Sequence, residues 1–165
     1  EFPASTAGAP LKNVGTLLIF FNLYTGNNDS HAKNLSLYQA PGQGARLTPF
    51  YDLMDTRLYP GLSSHFAFRV GGEDVPGRIT KWHVQAMAEE TGLKPNYLLD
   101  LAKSVHSKLA PALQRAIDDF APSLDPSGKV LADRLKQHVN GIANKSAARL
   151  VGDAPAESEH GPGTN

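Results

Sequence analysis

Three oxygen-bearing side chains in the first third of the sequence have the types and spacing needed to handle a metal ion and a proton. Asp29 and Asn34 lie in the polar segment 22–34, and Asp52 follows a stretch that contains Gly and Pro. A carboxylate can accept a proton from an attacking hydroxyl, and carboxylate and amide oxygens are ligands that Mg²⁺ prefers. A zinc site is not predicted, because the segment holds one histidine, His31, and the sequence has no cysteine.

The order of these residues matches the one used in phosphoryl transfer by kinases. There, an aspartate orients and deprotonates the attacking hydroxyl, a later asparagine binds Mg²⁺, and a further aspartate beyond a hairpin binds Mg²⁺ as well. Asp29, Asn34 and Asp52 follow that order and spacing. Lys33 adds a positive charge, directed either at the transferring phosphate or at Asp29. The pattern predicts a phosphotransferase site.

Each of these residues also has a plain structural interpretation. A run such as residues 27–30 (NNDS) is an ordinary turn, and Asp52 can cap a helix. His31 is more commonly a hydrogen-bonded loop anchor than a general base. The joint spacing and the downstream context favour the catalytic interpretation of Asp29 and Asp52. The glycine pair at 71–72, followed by two acidic residues, is interpreted as a turn without a ligand.

The elements that position these residues begin with a predicted helix. Apolar residues recur densely over 11–24, which indicates a mostly buried helix that ends at the breaker 25–28. Two short apolar runs around the loop 39–45 predict a β-hairpin. Residues 56–80 are expected to form a long surface loop with at most a short strand at 65–70.

The chain after residue 80 is predicted to be helical. Thr80 is the expected N-cap of one helix, Gly92 its stop, and Pro95 suits the first turn of the next helix, which reaches Phe120. A last helix is expected from residues 125–126 to about 151. We assign to the core Trp82, Met87 and the apolar residues of the last two helices, which in the final helix are Val130, Leu131, Leu135, Val139, Ile142 and Leu150.

Composition and charge restrict the class of protein. With 165 residues, 41% of them hydrophobic, the sequence fits one globular domain over 11–151, with a flexible lead-in at 1–10 and a disordered tail at 152–165. Sixteen basic residues balance sixteen acidic ones, so direct nucleic-acid binding is not predicted. No apolar run approaches the roughly 20 residues that span a bilayer, so membrane insertion is not predicted and a cytoplasmic location is expected.

Two motifs resemble a known kinase family. The run Asn-x-x-x-Gly-Asn-x-Asp-x-His-x-Lys-Asn at 22–34, followed by Leu-Thr-Pro-Phe-Tyr-Asp at 47–52, is similar to HipA-type serine/threonine kinases. Residues 68–72 (FRVGG) and the helix at 82–90 also resemble the C-terminal lobe of that family. The resemblance implies a mainly α fold, a protein-kinase-like C-terminal lobe built as a helical bundle with a small β-hairpin at the catalytic loop.

The resemblance also implies roles for individual residues. Asp29 would be the catalytic base, Asn34 and Asp52 would bind Mg²⁺, and His31 and Lys33 would shape the catalytic loop. The family implies transfer of the ATP γ-phosphate to a serine or threonine of a protein substrate. It further implies toxin action in bacterial growth arrest and persistence, and neutralisation by a DNA-binding antitoxin called HipB.

Two departures from ordinary kinases qualify the expected activity. Two asparagines precede Asp29, where ordinary kinases have His-Arg; the resemblance to the HipA branch implies this difference. Residues 1–10 contain no glycine-rich loop, no strand lysine and no partner glutamate helix, so the N-terminal lobe is expected to be missing. Because nucleotide alignment draws on both lobes, the 165-residue chain alone is expected to be feeble or inert.

Two other interpretations stay open. One is a non-catalytic, truncated or split kinase lobe that binds an antitoxin or a separate N-terminal lobe. The other is a small-molecule kinase of the aminoglycoside or choline type, which shares the same catalytic logic. The His-x-Lys-Asn run at 31–34 argues only weakly against the second.

Overall fold

Four helices and one hairpin make up the computed structural model, which describes residues 11–40 and 44–151. The helices are α1 (Leu11–Thr25), α2 (Lys81–Thr91), α3 (Pro95–Phe120) and α4 (Pro126–Val151). The antiparallel strands β1 (Leu37–Ala40) and β2 (Gly44–Leu47) pair with Leu37 opposite Leu47. This confirms the mainly α fold with a small β-hairpin. The predicted lead-in at 1–10 and tail at 152–165 lie outside the described residues.

Helix α1 lies at the centre of the packing. It contacts both α3 and α4, while α2 packs mainly against α3. Its side chains Phe20 and Leu23 are fully buried, and burial raises the pKa of the Tyr24 hydroxyl above its usual range. No described helix is long and apolar enough to cross a membrane. The shared core also contains Phe66, Val70, Ile79, Val84, Leu98, Val105, Leu109, Val139 and Leu150.

The helix boundaries follow local chemistry. Thr80 is the N-cap of α2, and its backbone N–H donates to Nδ1 of His83 at 3.1 Å. Gly92 ends α2 in the left-handed region at φ 66°, where its N–H reaches the carbonyls of the last turn. The N–H of Gly128 donates to the Asp125 carboxylate at 2.7 Å, which lowers the pKa of Asp125 and fixes the start of α4. These predicted boundaries are confirmed.

Part of the core assignment was wrong. Trp82 is 76% exposed, and Val130 and Leu131 are 69% and 56% exposed. The last buried residue of α3 is Leu109 and the first of α4 is Val139. The C-terminal turns of α3 and the N-terminal turns of α4 therefore extend past the other helices. An apolar stripe in a sequence does not reveal where the neighbouring helix ends. Burial is confirmed for Met87, Val139, Ile142 and Leu150, and Leu135 is partly buried.

The connection between the hairpin and α2 is irregular. No strand forms at 65–70 within the described chain; Val70 and Glu73 make one isolated bridge, and the Phe66 N–H donates to the Asp74 carbonyl at 2.8 Å. Gly71 has φ 53°, and a Cβ at this position would overlap the carbonyl oxygen of His83. The glycine pair is therefore a turn packed against α2, as predicted.

Candidate active site

The side chain of Asn34 joins the residues that the sequence singled out. A 3₁₀ turn over Ala32–Asn34 follows Asp29 and directs the Asn34 amide toward the end of the hairpin. Its Nδ2 donates to the backbone carbonyl of Asp29 at 3.2 Å and to Oδ2 of Asp52 at 3.1 Å. Residues that are five and eighteen positions from Asn34 thus meet at one amide.

Asp52 is fixed from both sides. Its backbone has φ 58°, which few residues other than glycine adopt and which aspartate and asparagine tolerate better than most. The Asn27 side chain donates to the Asp52 carbonyl at 3.3 Å. The hydroxyl of Tyr51 donates to the Lys33 carbonyl at 2.9 Å and accepts from Ser36 at 2.9 Å. These bonds connect the chain before Asp52 to the loop that carries Asn34.

Beneath these residues lies a buried polar layer, formed by Asn22, Asn27, Asn28, Ser30 and Thr56. None of the five is more than 8% exposed. Asn22 donates to the Ser30 hydroxyl at 2.7 Å and accepts from the Asn27 side chain at 3.2 Å. Buried polar groups are stable when they are hydrogen-bonded in this way. The layer holds the backbone on which Asp29 and Asp52 stand.

Thr56 connects this layer to the turn at the end of α1. Its hydroxyl accepts from the Asn28 N–H at 2.9 Å and donates to the Gly26 carbonyl at 3.1 Å. Gly26 has φ 76°, and a Cβ there would lie 2.6 Å from Oδ1 of Asp55. A side chain at this position would both strain the backbone and displace its neighbour. Sequence reasoning missed Thr56, because its partners lie 28 and 30 residues away.

Asp55 is a buried carboxylate that sequence reasoning also missed. Its Oδ1 accepts from the Arg57 N–H at 3.1 Å, and its Oδ2 lies 3.5 Å from Nε2 of His138 on α4. Burial raises the pKa of Asp55, while the nearby charges of His138 and Arg57 act in the opposite direction. The available signal was a second aspartate close behind Asp52 in the run 52–56 (DLMDT).

The two remaining predicted residues are less tightly held. Lys33 is exposed, and within the described chain its ammonium makes no hydrogen bond or ion pair. Nδ1 of His31 is buried and has no hydrogen-bond partner among the described residues. The structure therefore places Lys33 within the 3₁₀ turn and His31 at its start, without linking either side chain to the Asp29 carboxylate.

A cavity of about 230 Å³ opens next to Asp29. Asp29 is exposed at its edge, and the apolar side chains of Leu62 and Phe66 contribute to its wall. Its other lining residues are Asn28, Thr56, Ser63, His65 and Ala67. The Asn28 side chain donates to the Ser63 carbonyl at 3.1 Å and thereby attaches this wall to the buried polar layer.

The donor set beside Asn34 suits a hard cation with few protein ligands. It offers one carboxylate, from Asp52, and one amide oxygen. Across the described residues there is no cluster of three or more His, Cys, Asp or Glu side chains that would enclose a metal ion. Mg²⁺ is commonly held by one or two protein oxygens, with waters and phosphate oxygens completing its shell. The residues present therefore fit Mg²⁺ carried by a nucleotide.

Comparison with known proteins identifies the family of this domain. The family described as HipA-like C-terminal domain matches residues 10–113. The chain belongs to this family. The HipA resemblance drawn from the two sequence motifs is therefore confirmed, and the match includes Asp29, Asn34 and Asp52. The catalytic and metal-binding roles of these residues stay predictions.

Relatives of this HipA-like domain include two proteins named as kinases. The serine/threonine-protein kinase toxin HipA of Shewanella oneidensis is 31% identical over 97 residues, covering 59% of the chain and 22% of the relative. The putative kinase Y4mE of Sinorhizobium fredii is 32% identical over 110 residues, covering 67% of the chain and 26% of the relative. The chain thus spans about a quarter of the length of these relatives.

A solved structure has the same fold. It is the Shewanella oneidensis MR-1 toxin–antitoxin complex of HipA, HipB and operator DNA. Superposition gives a TM-score of 0.73 at 26% identity, over 81% of this chain and 31% of that one. The helical lobe predicted for this HipA-like domain is therefore the fold found in a HipA toxin.

Proposed function

We propose that this HipA-like domain is the catalytic lobe of a serine/threonine protein kinase that transfers the ATP γ-phosphate to a protein hydroxyl. The observation that carries the proposal is the Asn34 side chain, which bonds both the Asp29 backbone and the Asp52 carboxylate. Kinase chemistry depends mainly on positioning and electrostatics, so a preformed link between base and metal ligand is the feature it needs.

Asp29 acts as the base in this proposal. Its carboxylate is exposed at the edge of the 230 Å³ cavity, where a serine or threonine side chain has room to approach. The carboxylate accepts a hydrogen bond from the substrate hydroxyl and takes its proton as the oxygen attacks the γ-phosphate. The exposed Lys33 ammonium supplies positive charge near the phosphates, and His31 shapes the loop between Asp29 and Asn34.

Asn34 and Asp52 are the residues that would hold Mg²⁺. A bound Mg²⁺ would neutralise charge on the nucleotide phosphates. The Asn34 amide oxygen and the Asp52 carboxylate would be its protein ligands. The left-handed backbone of Asp52 and the Tyr51 hydroxyl keep the Asp52 carboxylate beside the Asn34 side chain.

The proposed partner class comes from the solved relative. Because that HipA is found with HipB and operator DNA, we include a HipB-like antitoxin as partner and growth-arresting toxin action as the biological role. Direct nucleic-acid contact by this chain is not part of the proposal, because its sixteen basic and sixteen acidic residues leave no net positive charge.

A second candidate function is that of a non-catalytic lobe that docks onto another polypeptide. Seven large apolar side chains in the segment 37–62 are each at least 44% exposed. Exposed apolar surface of this extent marks an interaction site. This exposed surface lies beside Asp52, which fits a nucleotide-binding kinase lobe as the polypeptide that covers it. The residues are Leu37, Tyr38, Tyr51, Leu53, Met54, Tyr59 and Leu62.

The decisive experiment is phosphotransfer from radiolabelled ATP by the full-length product of the gene. We expect Mg²⁺-dependent labelling of protein serine or threonine, and a loss of roughly 10²- to 10⁴-fold in Asp29→Asn, as for removal of a general base. Asp133→Asn, an exposed aspartate on α4, is the matched control and should leave the rate unchanged. The 165-residue chain alone should show little or no labelling.

The same assay separates the two candidates. Labelling that survives Asp29→Asn and Asp52→Asn unchanged would refute the assignment of the base and the metal ligand. The non-catalytic lobe would be favoured if the full-length product gave no labelling but formed a stable complex with another polypeptide, and if Leu53→Glu and Met54→Glu disrupted that complex.

A further inference from the structure

A second cavity, of about 340 Å³, lies on the α4 side of the domain, and three of its nine lining residues are lysine or arginine. Arg57, Lys145 and Arg149 contribute to its wall, and no aspartate or glutamate does. Glycines 77 and 141 also line it, and space is open where their side chains would be. The remaining lining residues are Gln137, His138, Ile142 and Ser146.

Two of the cations are brought close together by the fold. Arg149 is held in place by its Nη2, which donates to the Pro76 carbonyl at 3.2 Å and to the buried Ser146 hydroxyl at 3.0 Å. Burial, and after it the nearby positive charge of Arg57, lowers the pKa of the Arg149 guanidinium. Like charges that line the same cavity repel each other, and an anion bound between them would offset that repulsion.

The protein itself supplies little compensating charge. One lining residue, His138, has a carboxylate beside it: its Nε2 lies 3.5 Å from Oδ2 of Asp55. Asp55 is buried behind the wall, with its Oδ1 engaged by the Arg57 backbone N–H. One carboxylate therefore faces three permanent cations and a histidine.

We propose that this cavity, which we call the Arg57–Arg149 pocket, binds a phosphate monoester dianion. Such a group carries a charge of about −1.5 to −2 and several acceptor oxygens, which match two guanidinium forks and an ammonium. A volume of 340 Å³ is near the lower end of the roughly 300–1,000 Å³ typical of small-ligand sites, which suits a single phosphorylated group. The lining contains no phenylalanine, tyrosine or tryptophan ring on which a nucleotide base would stack.

The pocket is separate from the Asn34–Asp52 pair, and the proposal does not depend on kinase activity. The phosphate group bound by the pocket has two possible sources, a phosphorylated side chain or free phosphate. Isothermal titration of the 165-residue chain with inorganic phosphate, with a short phosphoserine peptide and with its unphosphorylated form distinguishes them. Tighter binding of the phosphopeptide identifies a phosphorylated side chain, and equal or tighter binding of inorganic phosphate identifies free phosphate.

Charge removal tests the residues. Arg57→Gln and Lys145→Gln should each weaken binding roughly ten-fold or more, as expected when a hydrogen-bonded charge is lost. Lys129→Gln is the matched control, because it removes an exposed cation from α4 outside the pocket. Lys145 is also exposed, so Lys145→Gln remains informative if Arg57→Gln impairs folding.

Three results would overturn the proposal. One is the absence of saturable binding of both phosphate probes at millimolar concentration. Another is an equal loss of binding in Lys129→Gln. The third is binding of a DNA duplex without binding of either phosphate probe, which would make the pocket part of a nucleic-acid surface.

Discussion

The candidate site has an outer and an inner layer, and the two differ in exposure. In the outer layer, Asp29, Lys33 and Asp52 are exposed to water. In the inner layer, Asn22 and Asn27 are at most 1% exposed and bond to each other. The groups proposed to react are thus hydrated and carried by a backbone that buried amides fix. Function and stability should therefore respond to different substitutions.

The largest expected effect is on the inner layer, at Gly26. Gly26→Ala should lower the free energy of unfolding by about 3 kcal/mol or more, because it combines a strained backbone with a displaced neighbour. At φ 76° the new Cβ would lie 2.6 Å from Oδ1 of Asp55 and 2.9 Å from Cδ1 of Ile142. Urea unfolding followed by far-UV circular dichroism measures the change.

Gly15→Ala provides the control for this substitution. Gly15 lies within α1 and has nothing within 4 Å of an added Cβ. Alanine there should stabilise the chain by about 0.5–1 kcal/mol through its helix propensity. A similar loss of stability in both variants would contradict the role given to the Gly26 turn.

A smaller loss is expected at Asn22. Asn22→Ala should lower the free energy of unfolding by about 2–3 kcal/mol, because the buried Ser30 hydroxyl and the buried Asn27 amide each lose a hydrogen bond to Asn22. The exposed Asn96→Ala on α3 should change stability by less than about 0.5 kcal/mol. If urea unfolding gave equal midpoints for the two variants, the inner layer would not be the stabilising one.

The pH dependence of stability probes Asp55, at the edge of the inner layer. Burial raises the pKa of this carboxyl in the folded state. Its contribution to stability is therefore full below the unfolded pKa and is lost as pH rises through the folded pKa. Asp55→Asn removes this loss, so the unfolding free energy of the variant minus that of the wild type should increase as pH rises above the ordinary aspartate pKa of about 4.

Asp74→Asn is the comparison for that measurement, since its shift has the opposite sign. A hydrogen bond from His65 lowers the pKa of Asp74, so its contribution to stability is present above the unfolded pKa and lost as pH falls. For this variant the same difference should decrease with rising pH. Parallel curves for the two variants would rule out the assigned origin of the Asp55 shift.

The smallest effect is expected in the outer layer. Asp29→Asn and Asp52→Asn should each change the unfolding free energy by less than about 0.5 kcal/mol, although both remove groups proposed to react. Asparagine keeps an acceptor for the Asn34 amide and tolerates the φ of 58° at position 52. A loss comparable to that of Asn22→Ala, measured by the same urea unfolding, would abolish the distinction between the two layers.

Local chemistry allowed much of the fold to be predicted. Gly92, the left-handed cap of α2, and Pro95, in the first turn of α3, mark helix boundaries. Each signal involves only a few neighbouring residues. The outer layer was predictable for a similar reason, since the spacing of Asp29 and Asn34 is short and belongs to one turn. Asp52 required only one hairpin to return the chain to that turn.

Contacts between distant segments were not predictable in the same way. The Thr56 hydroxyl meets Gly26 and Asn28 only after the whole hairpin has formed, and no local pattern marks it as a site residue. His138 approaches Asp55 from α4, again across most of the chain. The prediction of buried residues along the long helices failed for the same reason, because burial depends on where the neighbouring helices end.

The exposure of Trp82 affects how this domain can be studied. It is the only tryptophan in the sequence, and its indole is already in water in the folded state. Its emission should shift little when the core melts, so intrinsic fluorescence is a poor probe of unfolding. The same position makes it a native optical probe on α2, whose emission should shift to the blue when another molecule covers that helix.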